Sequence, residues 1–162
     1  MKILIIALPR TGSTTLLKTL ANKYNLTPIM EPQQKEGFRE DEDNIVVKCI
    51  LWKIPQDDVW FNNILKKFDE VILLSRRNLK ELTESLAYFK HNRDIGFEFN
   101  MQYFWEMTPN YYDTEQQVFE NNKKLIELSE NIGVNITYYE DLYKNSVEGK
   151  LRLGNVGKKT LI

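Results

Sequence analysis

The segment Lys2-Ile-Leu-Ile-Ile-Ala-Leu-Pro-Arg-Thr-Gly-Ser-Thr-Thr-Leu-Leu17 constrains the fold more than any other stretch of the chain. Ile3 to Leu8 run without a polar break, the pattern of a strand covered on both faces. Pro9, Arg10, Thr11 and Gly12 end that run. Ser13 and Thr14 then open a helix whose apolar positions, Leu16, Leu17, Leu20 and Tyr24, fall at helical spacing. A strand that feeds a helix through so short a polar loop aims several backbone N–H groups at one point. The helix N-terminus adds partial positive charge and Arg10 a full one, so the segment predicts an anion site, most simply one for phosphate.

The loop is close to a nucleotide-binding P-loop and departs from it. That pattern asks for Gly, four residues, then Gly-Lys-Ser/Thr. Gly12 and Thr14 match, but Ala7 stands at the first glycine and Ser13 at the lysine. The absent lysine is the one that grips the β- and γ-phosphates of a nucleoside triphosphate. The loop is therefore expected to hold a phosphate-like group while being poorly equipped to cleave ATP.

A second strand-to-helix unit follows at Glu70-Val-Ile-Leu-Leu-Ser-Arg-Arg-Asn-Leu-Lys-Glu-Leu-Thr-Glu-Ser85, with Leu79, Leu82, Leu86 and Phe89 as the apolar stripe. Arg77 ends the strand and Ser85 lies eight residues later, a rise of about 12 Å along a helix. Helical side chains lean toward the N-terminus, so a long Arg reaching forward and a Ser leaning back are placed to share one phosphate.

Pro9-Arg-Thr-Gly-Ser-Thr14 resembles the 5′-phosphosulfate loop of the sulfotransferases, which use 3′-phosphoadenosine 5′-phosphosulfate (PAPS) as donor. The Arg77/Ser85 spacing resembles that family's 3′-phosphate site, and Leu74-Ser-Arg-Arg-Asn78 resembles bacterial members that act on sugars. Thr27-Pro-Ile-Met-Glu-Pro32 is similar to the segment after the second strand of carbohydrate sulfotransferases, and Asn135-Ile-Thr-Tyr-Tyr-Glu-Asp-Leu142 to their late strand. The resemblance implies a PAPS site made of Arg10, Thr11, Gly12, Ser13, Thr14, Thr15, Arg77 and Ser85, with catalysis by Glu31, Arg10 and Lys48. It implies no metal, and a hydroxyl acceptor of carbohydrate type.

Several readings stay open at this level. Glu31 is either the base that takes the acceptor proton or a loop carboxylate before a proline. His91, the only histidine, is the other candidate base and otherwise a solvated helix end. Lys48 interrupts the apolar run Ile45 to Leu51, where an inward ammonium is costly unless paired; it is either functional or a strand-end charge. The family's cytosolic members carry Lys at Arg10 and an adenine-stacking Trp at Thr15, which leaves Trp52 as a substitute. Leu151 to Lys159 is either a reduced form of the family's basic closing loop or a charged tail. The alternatives to a sulfotransferase are a P-loop small-molecule kinase and a non-catalytic nucleotide binder of the same fold.

Strands alternating with helices predict an α/β fold: one domain over residues 1–162, three layers α/β/α, with a mainly parallel sheet of about five strands. The expected strands are Lys2 to Leu8, Pro28 to Met30, Ile45 to Leu51, Val71 to Ser75 and Val134 to Tyr138. The expected helices are Ser13 to Tyr24, one opened by Pro55, Asn78 to Lys90 and Thr114 to Asn131. The aromatic-rich stretch Asp94 to Tyr112 is expected to pack on the sheet and help cover an acceptor pocket. In such sheets ligands bind at the carboxyl ends of the strands, where Arg10, Glu31, Lys48 and Arg77 all fall. A net charge of −1 gives no basic excess for nucleic-acid binding. No apolar run approaches the ~20 residues of a membrane span. The lone Cys49 allows no internal disulfide, and a cytoplasmic protein is expected.

Overall fold

The computed structural model describes residues 1–32, 34–54, 58–95 and 108–143. Its strands are β1 (Lys2–Ala7), β2 (Thr27–Met30), β3 (Ile45–Ile50), β4 (Glu70–Ser75) and β5 (Ile136–Tyr138). Its helices are α1 (Ser13–Tyr24), α2 (Asp58–Leu65), α3 (Leu79–Ile95), α4 (Thr108–Ile132) and the single turn α5 (Tyr139–Leu142). The strands form one sheet in the order β2-β3-β1-β4-β5, and every pairing is parallel.

The sheet is buried on both faces because its strands carry apolar side chains at odd and even positions alike. Ile3, Ile5, Ala7, Val46, Ile50 and Leu74 meet Leu16, Leu17 and Ala21 of α1. Leu4, Ile6, Ile45, Val47, Cys49 and Leu73 meet Ile64, Leu82, Leu86, Val118 and Leu125, which come from α2, α3 and α4. The architecture is thus the expected α/β fold, with α1 on one face and three longer-range helices on the other.

β1 sits between β3 and β4, so the chain leaves it toward one side of the sheet and later crosses to the other. The loops leaving β1 and β4 therefore lead to helices on opposite faces of the sheet, and the carboxyl edge between such loops is the usual ligand position in an open parallel sheet.

Helix ends follow local chemistry. Gly133, with φ +67°, closes α4, and the Val134 N–H donates to the Ser129 carbonyl while the Ser129 hydroxyl donates to the Val134 carbonyl. Val134 thus belongs to the helix stop, and β5 starts at Ile136 instead of Val134. Helix α4 begins at Thr108, six residues earlier than the apolar spacing predicts, with Pro109 in its first turn. Pro55 and most of the aromatic stretch, residues 96–107, lie outside the described residues, as does the basic segment Leu151 to Lys159. No helix among the described residues is long and apolar enough to cross a membrane.

Cys49 is 1% exposed, its Sγ 3.6 Å from the Ile5 carbonyl, and burial pushes its thiol up to about 12. An alkylating reagent at about pH 8, where an ordinary thiol ionises appreciably, should leave Cys49 intact in the folded protein and label it in denaturant. Rapid labelling of folded protein, read by mass spectrometry, would contradict this packing of β3.

Candidate functional site

The β1–α1 loop is tied to itself through Thr11 and to β4 through Leu8. The Thr11 hydroxyl, fully buried, donates to the Leu8 carbonyl at 2.7 Å, and the Leu8 N–H donates to the Leu74 carbonyl at 3.0 Å. The Thr11 side chain is therefore structural, and what Thr11 offers a ligand is its backbone. Arg10 (φ +60°) and Gly12 (φ +76°) both take the left-handed conformation, ordinary for glycine and uncommon for arginine. Gly12 occupies the N-cap of α1 without any side-chain capping bond, and no acidic residue lies in the first turn. The donors at the start of α1 thus keep their positive character. Ser13 is buried, while Thr14 and Thr15 are half-buried in that first turn.

Lys48 comes to this helix end from the next strand. On β3 it shares the α1-facing side with Val46 and Ile50, and it pairs in register with Ile5 and Met30. The residue is 2% exposed. Its ammonium donates to the Thr14 hydroxyl at 3.1 Å and to Glu31 Oε1 at 2.5 Å. The pair is also tied through the backbone, because the Glu31 N–H donates to the Lys48 carbonyl at 2.7 Å. Glu31 holds φ +49° just past β2. The Glu31 side chain is 29% exposed against 3% for Lys48, so the ammonium lies inward and the carboxylate toward solvent.

Arg10 and Ser85 form a second contact, with Arg10 Nε donating to the Ser85 hydroxyl at 3.2 Å. Arg77 and Ser85, whose spacing suggests one shared phosphate, have different protein partners in this structure: Ser85 accepts from Arg10, and Arg77 pairs with a carboxylate. Arg77 turns its fork to Asp141 of α5, with both N–O distances 2.6 Å, and lies over the Tyr138 ring. The reason is local: Glu140, next to Asp141, accepts the backbone N–H groups of Arg77 and Asn78, which brings α5 against the start of α3. Asn78 also caps that helix by accepting the Glu81 N–H at 3.1 Å. The neighbouring Arg76 is no solvated strand-end charge. It is 6% exposed, pairs with Glu81 at 3.2 Å and stacks on Tyr139.

The site thus joins Arg10 with Ser85, and Lys48 with Glu31 and Thr14, around the uncapped start of α1. Arg77 lies at the adjacent strand end in a carboxylate clamp. Trp52 is half-buried against both cores. The His91 side chain falls outside the described residues. Sequence reasoning missed Tyr143, whose hydroxyl donates to the Gly12 carbonyl at 2.6 Å. The available signal was the pair Tyr139 and Tyr143, whose spacing puts both rings on one side of a helical turn.

No protein-family model matches the chain, and no curated protein matches it. A solved structure with a similar fold is the YorR protein of Bacillus subtilis, determined in complex with phosphorylated GDP. It superposes with a TM-score of 0.51 at 13% sequence identity, over 85% of this chain and 84% of that one. At that identity the likeness concerns the fold.

The Arg77 guanidinium holds the Asp141 carboxyl below its ordinary range. A carboxyl depressed in the folded state stabilises the protein above its unfolded pKa, and that contribution is lost as pH falls through the folded value. Titrated by NMR, the Asp141 carboxyl should move up toward the ordinary carboxylate range in Arg77→Ala, which removes the guanidinium that lowers it. An unchanged Asp141 midpoint in that variant would refute the clamp.

Proposed function

We infer that this protein is a sulfotransferase that moves a sulfuryl group from PAPS to a hydroxyl of a carbohydrate-type acceptor. One observation carries the reading: the Lys48 ammonium, brought from β3, stands beside Thr14 at the start of α1. The loop lacks a lysine at Ser13, yet a buried lysine reaches the same helix end from another strand. Such a site suits a donor whose leaving group is a phosphate, because its charge is met by Lys48, Arg10 and the N–H groups of residues 11 to 15.

In this reading Arg77 and Ser85 hold the 3′-phosphate, with Arg77 exchanging Asp141 for the phosphate. Both partners of that ion pair are more than half exposed, so the exchange is cheap. Sulfur leaves the donor phosphate oxygen as its bond to the acceptor oxygen forms. The acceptor proton goes to Glu31, which faces solvent, and the electron pair of the broken bond stays on the phosphate facing Lys48.

A small-molecule kinase is the second reading. The similar fold of YorR, solved with a phosphorylated nucleotide, favours it. The lack of a lysine at Ser13 disfavours it.

Calorimetric titration with 3′-phosphoadenosine 5′-phosphate (PAP), ADP and ATP–Mg²⁺ separates the two. PAP should bind at least about tenfold tighter than ADP, a difference of ~1.4 kcal/mol, and Arg77→Ala should erase that preference. Tighter binding of ATP–Mg²⁺ would overturn the sulfotransferase reading and favour the kinase. With a sugar acceptor found by screening, Glu31→Gln should keep PAP binding and lose about 10²–10⁴-fold in rate.

A further inference from the structure

Tyr143 is the last described residue, and its ring lies beneath the anion loop at a chain separation of 131 residues. It is 1% exposed. Its hydroxyl donates to the Gly12 carbonyl, which also accepts the Leu16 N–H at 3.1 Å in the first turn of α1. The ring fills the space where any larger residue at position 12 would place its Cβ, with the nearest ring atom 2.6 Å from that point. Tyr139 packs on it at 4.8 Å between ring centroids, and Arg76 lies over Tyr139 in turn.

We propose that Tyr143 is a positioning residue for the anion site, acting by fixing the Gly12–Ser13 peptide plane. This rests on the reading of the 10–14 loop as an anion cradle. A trans peptide is planar, so its carbonyl and its N–H point in opposite directions. The Gly12 carbonyl is anchored by two donors, the Leu16 amide and the Tyr143 hydroxyl. Anchoring it turns the Ser13 N–H the other way, out of the helix start and toward the loop mouth. Gly12 has the widest conformational freedom of any residue and is the natural place for that peptide to flip. A flip would present a carbonyl to an incoming anion in place of a donor. The Tyr143 bond opposes it, because a flip would take the Gly12 carbonyl away from the Tyr143 hydroxyl. Burial and the neighbouring Tyr139 raise the Tyr143 pKa well above the ordinary phenol range, so the hydroxyl keeps its proton.

The consequence is a link between two parts of the chain. The short helix α5 carries Asp141, which clamps Arg77, and leads directly to Tyr143, which sets the loop.

The test is Tyr143→Phe, which keeps the ring and removes the donor. Wild type and variant are each titrated with PAP and with inorganic phosphate, and the Ser13 and Leu16 amide resonances are recorded without ligand. The variant should fold, shift the ligand-free Ser13 resonance and bind both anions about three- to tenfold more weakly, the range for one lost hydrogen bond. Unchanged affinities and an unmoved Ser13 resonance in a folded variant would overturn the proposal. Wild-type binding of phosphate without PAP would remove the PAPS reading and leave Tyr143 to be judged on phosphate alone. Wild-type binding of neither would overturn the cradle and the proposal together. Should the variant not fold, the wild-type Tyr143 hydroxyl proton decides. It should be slow to exchange and visible by NMR, and should shift on adding PAP or phosphate; a fast-exchanging hydroxyl proton, or one that neither anion shifts, would overturn the proposal.

Discussion

The buried ammonium of Lys48 is the interaction on which the site depends. An ammonium taken out of water costs several kcal/mol unless its bonds are remade. Here Glu31 and Thr14 remake them, so β2, β3 and α1 are held to one point at their functional ends. The same need explains the backbone of Glu31. Only with φ +49° does the chain leave β2 so that Glu31 donates its N–H to Lys48 and its carboxylate accepts from the same residue. Left-handed backbone at a non-glycine residue is tolerated where surrounding contacts fix it, and such residues gather at functional sites. Arg10, three residues past the end of β1, shares that conformation, as do Asn25, Arg39 and Asn44 away from the site.

Two helix starts at the carboxyl edge are treated in opposite ways. The start of α3 is closed by its own chain, with Asn78 capping and Glu140 accepting two further N–H groups. The start of α1 has neither a side-chain cap nor an acidic neighbour in its first turn, and two cations, Arg10 and Lys48, stand around it. A helix start is a general anion attractor. The difference between these two is what gives the site its place in the sheet. Arg77, just after β4, is held in an exposed pair with Asp141, and exposed ion pairs contribute little to stability.

Much of this was legible in the sequence because it is written in contiguous residues. The apolar runs of β1, β3 and β4 and the polar break at Pro9 to Gly12 give strands, loop and helix directly, and α1 matches its predicted span to the residue. Lys48 announced itself as a charge inside an apolar strand, which physics allows only with a partner. The partners of Arg77 and Ser85 were not legible. Their spacing within one strand-helix unit suggested a shared ligand, whereas Asp141 lies 64 residues beyond Arg77 and Arg10 lies 75 before Ser85. Burial of Arg76 beside exposed Arg77 follows from the tertiary position of Tyr139 and Glu81, which no local pattern encodes. The start of α4 was missed because its first residues fall in an aromatic-rich stretch without helical spacing.

The central claim is that Lys48 serves the anion site of the β1–α1 loop from a neighbouring strand. A crystal structure of the protein with PAP tests it most directly. The account predicts the 5′-phosphate against the backbone of residues 11 to 14, with the Lys48 ammonium within hydrogen-bond distance of a phosphate oxygen and Arg77 parted from Asp141. A phosphate bound elsewhere, or a Lys48 ammonium still directed only to Glu31 and Thr14 with PAP in place, would contradict it.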